Sequence, residues 1–112
     1  MKVSIITYNE IEGVHQWKTA PEGNYLKYPH RHVFVIRCWF EVAHSDRDVE
    51  IIEKQLEINN ALNWRFYNES RKMLDFDDMS CEMIAQWLID EMSCSRVVVL
   101  EDGYGGADVK RE

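Results

Sequence analysis

The chain has 112 residues and a formal net charge of −7, with four tryptophans, five tyrosines and four phenylalanines. That length suits one domain, 1–112, and the aromatic content exceeds what a disordered or fibrous chain carries. An acidic balance with no stripe of Lys and Arg argues against nucleic acid as a partner. No stretch approaches the roughly 18 apolar residues of a membrane-spanning helix, so no membrane partner is expected. Met1 to Ile6 is too short an apolar run for a secretory signal. The three cysteines, Cys38, Cys81 and Cys94, are odd in number and form no Cys-x-x-Cys pair. Reduced thiols in a cytoplasm are the expectation.

In chain order, residues 3–18 are rich in Val, Ile, Thr and Tyr and predict one long strand. A bulge is expected around Glu12–Gly13, since an isolated glycine in a strand usually marks one, and His15 falls just past it. Thr19 to Asn24 is a loop by its turn residues. Tyr28-Pro29-His30-Arg31-His32 then runs into a second strand over about 32–43. Successive side chains of a strand point to opposite faces, so His30 and His32 look the same way. Phe34, Ile36, Cys38, Phe40 and Val42 form a uniformly apolar face, the expected core. Val33, Val35, Arg37, Trp39 and Glu41 form a mixed face suited to a partner or a pocket.

His44 to Asp48 is a polar turn. Val49, Ile52, Leu56 and Leu62 predict a helix over 49–62, and 64–72 reads as irregular. Ser80 is a good N-cap, and Glu82 in the first turn favours the helix dipole. Met83, Ile84, Trp87, Leu88 and Met92 follow as one apolar stripe, read as core. Ser93-Cys94-Ser95 breaks that helix. Residues 96–100 read as a buried strand, Gly105–Gly106 as a turn and 107–110 as a closing strand. The order ββααββ predicts an α+β domain, an antiparallel sheet packed on two helices. Four strands in so short a chain leave edges exposed, which predicts a homo-oligomer whose sheets join into a barrel.

Two imidazoles side by side are a ready pair of zinc ligands, although an isolated His-x-His is more often a solvated pair beside a turn proline. A third imidazole, His15, would leave zinc one open position, the pattern of a catalytic rather than a structural site. His15 alone reads as a strand histidine bonded to a neighbouring carbonyl. Glu101 ends an apolar strand, either as an ordinary exposed carboxylate or as a partly buried acceptor for two parallel N–H groups. Asp102 next door is a possible substitute.

Three blocks, in order, resemble the 6-pyruvoyl-tetrahydropterin synthase and 6-carboxy-tetrahydropterin synthase family, the T-fold group. His30-Arg31-His32 is similar to its His-Gly-His, with His15 upstream. Met79-Ser80-Cys81-Glu82 resembles its Pro-Thr-x-Glu helix start. Val97-Val98-Val99-Leu100-Glu101 resembles the strand ending in its pterin-holding glutamate. The resemblance implies zinc on His15, His30 and His32, a pterin-like molecule held by Glu101 and Ser80, and ligand sites at subunit interfaces of a homo-oligomer. It also implies a zinc-dependent carbon–oxygen lyase acting on 7,8-dihydroneopterin triphosphate or a similar pterin, as in tetrahydropterin or queuosine-precursor synthesis. Two parts of the family's pattern are missing. No cysteine precedes the His-x-His block, where Asn24 to Pro29 stand, and no Asp-His pair lies between the helices. Cys81 at a helix start, where the dipole would depress a thiol pKa, is one substitute for the proton-transfer group. His44, Tyr28 and Tyr25 are others. The alternative is a non-catalytic protein of the same fold that binds a pterin- or purine-like ligand or a protein partner.

Overall fold

A computed structural model describes residues 1–112. Strands β1 (Val3–His15) and β2 (His30–Val42) pair antiparallel over their whole length in one unbroken register, from Val3 opposite Val42 to His15 opposite His30. Each is 13 residues long, about 40 Å at the usual rise of a strand. The chain continues through α1 (Ile51–Phe66), β3 (Tyr67–Asn68), β4 (Met73–Asp75), α2 (Cys81–Met92), β5 (Arg96–Glu101) and β6 (Gly105–Lys110). The six strands lie in the order β3-β4-β1-β2-β5-β6. β4 runs parallel to β1 and every other pair is antiparallel, so the sheet is mixed and open. No helix is long and apolar enough to cross a membrane.

Both helices cover one face of the sheet, α1 over β1 and β4, α2 over β5 and β6. Between them and the sheet lie Phe34, Ile36, Cys38 and Phe40 of β2, with Val97 and Val99 of β5. This is the apolar face that the alternation of β2 predicts. Phe66 joins the layers, its ring 4.8 Å from that of Phe76 and 4.9 Å from Trp87. The opposite face is mixed, as expected: Arg37 lies over the Tyr8 ring at 5.6 Å and Arg96 over Trp39 at 4.2 Å.

Several expectations are corrected. There is no bulge at Glu12–Gly13, because the register passes through it without a break. Gly13 serves close packing instead: a Cβ there would stand 3.0 Å from Phe76 Cε2 and 3.3 Å from the Leu74 carbonyl oxygen. The first helix starts at Ile51 and runs to Phe66, so most of the segment read as irregular is helix and a small hairpin. Its buried residues are Ile58, Leu62 and Phe66, spaced four apart, while Ile52 and Leu56 face solvent. The core stripe of α2 is Cys81, Ile84, Ala85, Leu88 and Ile89, with Met83 turned outwards. Ser80 caps that helix as predicted, its hydroxyl accepting from the Met83 backbone N–H at 3.2 Å. The last hairpin turns at Asp102–Gly103, not at Gly105–Gly106. Both turn residues have positive φ, 55° and 79°, as a tight hairpin turn requires and an Asp-Gly pair supplies.

Gly106 lies inside β6 because the neighbouring strand comes too close for a side chain. A Cβ there would stand 1.8 Å from the Val99 carbonyl oxygen, whereas at Gly105 it would meet nothing within 4 Å. Gly106→Ala is expected to lower unfolding stability by roughly 3 kcal/mol, the upper end of overpacking costs. Gly105→Ala should stay near wild type, and denaturant unfolding of the two variants checks the contrast.

Candidate metal centre

Cross-strand partners project from the same face of a sheet. The β1–β2 register sets His15 opposite His30 and Gly13 opposite His32, and the β2–β5 register sets Glu101 opposite Phe34. His15, His30, His32 and Glu101 therefore share the core face, at the end of the sheet where α2 begins. Their ligand atoms all lie within 4.8 Å of one another. Phe34 closes the apolar core beneath them, its ring 5.3 Å from that of His15 and 5.7 Å from His32.

Each imidazole is oriented by what its Nδ1 touches. His15 Nδ1 lies 2.8 Å from the Met79 carbonyl oxygen, His30 Nδ1 2.9 Å from the Tyr28 carbonyl and His32 Nδ1 2.7 Å from Asp102 Oδ2. A carbonyl or carboxylate only accepts, so in each ring Nδ1 carries the hydrogen and the neutral form leaves Nε2 as a lone pair. Three such lone pairs converge with a carboxylate. The two readings of His15, carbonyl-bonded strand residue and ligand, are thus both satisfied, by different nitrogens. Imidazoles anchored through the other ring nitrogen are the usual condition of metal-binding histidines.

The geometry suits a cation. His15 is only 8% exposed, and Nε2 of both His15 and His32 is buried with no hydrogen-bond partner. Glu101 Oε2 stands 2.7 Å from His15 Nε2 and 3.2 Å from His32 Nε2. Neither approach follows a ring N–H direction, so neither contact is a hydrogen bond. Lone pairs and a carboxylate crowded together repel unless positive charge sits among them. Tetrahedral zinc with bonds of about 2.0–2.1 Å spaces its ligand atoms about 3.3 Å apart, a spacing this group reaches with small side-chain movements. The group can hold a metal ion.

Its supports come from the end of β1 and from the Asp102 turn. Backbone N–H groups of Gln16 and Phe76 donate to Asp77 and Val14 carbonyls at 2.8 and 2.9 Å, holding the end of β1. Asp102 accepts from the Val33 backbone N–H at 2.9 Å through its second oxygen, and the Asp102 N–H donates to the Val33 carbonyl at 2.9 Å. The His32 ring first, then that Val33 N–H, hold the Asp102 carboxyl below the usual carboxylate range. Sequence reading offered Asp102 only as a stand-in for Glu101; the structure makes it the anchor of His32. The Asp-Gly turn signal was the available clue.

His15, His30 and Glu101 open onto a cavity of about 630 Å³, walled by Trp17, Leu26, Met79, Ser80, Cys81 and Met83. That is a usual volume for a small-ligand site. Asp78 and Glu82 also line it, and its one lysine, Lys18, is bound to Asp77 at 2.9 Å.

The proton-transfer substitutes fare unequally. Cys81 lines the cavity but is buried, and its thiol is not depressed by the helix start. Burial, then the charges of Glu101 and Glu82, push it up to about 12. His44 lies beyond the other end of β2 from His30, about 40 Å along the strand, exposed beside Asp48 at 3.6 Å. Tyr28 is exposed and outside the cavity wall, contributing its carbonyl rather than its hydroxyl, and Tyr25 is 74% exposed.

Two outcomes follow from these contacts. Asp102→Asn should weaken metal affinity about 10–100-fold, the usual cost of losing a ligand's anchor, measured by competition with a chromophoric chelator. The Cys81 thiol ionises near 9 when unfolded and near 12 when folded, so the unfolded state loses its proton first. Its contribution to stability is therefore complete below about pH 9 and fades as pH rises towards 12. Unfolding of wild type and Cys81→Ala across that window should show the steeper alkaline decline in the wild type.

No protein-family model matches the chain, and no curated protein matches it.

Proposed function

We propose that this chain is a zinc protein of T-fold type, a divergent relative of the 6-pyruvoyl- and 6-carboxy-tetrahydropterin synthases. It acts as a carbon–oxygen lyase on a dihydroneopterin triphosphate-like pterin. The observation that carries this reading is the convergence of three Nδ1-anchored imidazoles, His15, His30 and His32, beside a cavity of ligand size. Zinc, when bound, supplies Lewis-acid polarisation of a ligand oxygen. Ser80 and Glu101 both line the cavity, and in this reading they orient a pterin edge. The protein assembles as a homo-oligomer that covers its open sheet edges, and neighbouring chains complete the site.

One observation favours a second reading, a non-catalytic binding protein of the same fold. The cavity wall carries Asp78, Glu82 and Glu101 against a lysine already paired. A single chain thus offers no cationic cradle for a triphosphate, and its cavity thiol keeps its proton at neutral pH.

Metal content per chain comes first. Wild-type protein should carry close to one zinc, and the His30→Ala, His32→Ala variant almost none; a metal-free wild type sinks the lyase and leaves only the non-catalytic reading. The zinc-loaded protein is then given dihydroneopterin triphosphate and, separately, unphosphorylated pterins and guanine derivatives. Turnover of the triphosphate supports the lyase. Tight binding of the uncharged rings without turnover supports the binding protein. A monomer by light scattering would contradict the proposed assembly.

A further inference from the structure

We propose that Glu101 is the fourth ligand of the metal, so that the resting centre is a closed set of three histidines and one carboxylate. A ligand entering the cavity must then compete with that carboxylate for the metal. The inference rests on the metal-site reading above and goes beyond it in the role of one residue.

Of the carboxylates on the cavity wall, Glu101 alone belongs to the histidine cluster. Its Oε2 lies 2.7 Å from one imidazole nitrogen and 3.2 Å from another, and both nitrogens are buried without a hydrogen-bond partner. A carboxylate kept as a receptor for N–H groups would be expected to point into the cavity, away from lone pairs. Here one oxygen is turned back among them. The backbone leaves it there: Glu101 is the last residue of β5, paired opposite Phe34 of β2 on the histidines' face, and the turn at Asp102 is tied to Val33. Asp102 cannot take its place, since both its oxygens are engaged, one by His32 and one by the Val33 N–H. A carboxylate oxygen and three neutral imidazoles complete a tetrahedron for zinc. Glu101 also remains on the cavity wall, so a displaced carboxylate stays beside whatever displaced it.

The test uses full-length protein loaded with zinc or cobalt(II), comparing wild type, Glu101→Gln and Glu101→Asp. The carboxamide matches the carboxylate in shape and removes the charge that faces two lone pairs, so the metal-free Glu101→Gln protein should unfold no more easily than wild type. Its zinc affinity should nevertheless fall by at least about tenfold, the scale on which even outer partners act. Glu101→Asp, one methylene shorter, should weaken zinc as well. Cobalt(II) in the wild type should give the intense visible bands of a four-coordinate centre and resist added azide. In Glu101→Gln the spectrum should change, and azide should bind at no more than about a tenth of the wild-type concentration. Unchanged zinc affinity, cobalt spectrum and azide response in both variants would overturn the role of Glu101. The three-histidine site would still stand if His30→Ala, His32→Ala abolishes metal uptake. Failure of the wild type to take up metal would overturn both.

Discussion

The unbroken pairing of β1 with β2 is the constraint on which the rest depends. Side chains alternate with a period of two, so a slip of one residue would send every side chain of the slipped strand to the other face. Held in register, the ladder puts Phe34, Ile36, Cys38 and Phe40 against the helices and continues the same face into His32 and His30. Core and candidate metal centre are two ends of one surface. Whatever secures the packing of Phe34 and Phe76 also fixes where the imidazoles stand. Gly13, with no side chain, lets the Phe76 ring close over β1 two positions before His15.

The centre itself is a site where local satisfaction is incomplete. Most buried polar groups find partners, and each exception calls for an explanation. Here two imidazole nitrogens lack one while a carboxylate presses against them. The surrounding structure is rigid enough to impose this: two carbonyls and a carboxylate fix the rings, and the Asp102 turn is clamped to the start of β2. Such a crowd costs free energy unless positive charge, a proton or a metal ion, sits among the groups.

Much of this arrangement was legible in residue order. Alternation along β2 located the core face and placed two histidines on it, and the apolar run 97–100 marked β5 with Glu101 at its end. Ser80 announced the start of α2. What was misread had two physical meanings at once. A strand glycine signals a bulge or a close approach, and only tertiary contact distinguishes them at Gly13. The α2 stripe shares Ile84 and Leu88 with the expected one, and Trp87 and Met92 pack at its margin, but it is centred towards Cys81 and Ala85, small residues that let the helix settle on the sheet. β3 and β4 are two and three residues long, too short for any period to register. A carbonyl partner for His15 was expected, but that Met79 supplies it, and that Tyr28 anchors His30, no residue type reveals.

One consequence of the long ladder concerns the order in which the chain folds. His15 and His30 are 15 positions apart, whereas Val3 and Val42 at the far end are 39 apart. Closing a loop costs more entropy the longer it is, so the ladder forms most cheaply at the histidine end and zips outwards from there. The histidines of the candidate metal centre are then among the earliest distant parts of the chain to meet, and an ion captured at that stage would hold the nucleus together while the remaining strands are added.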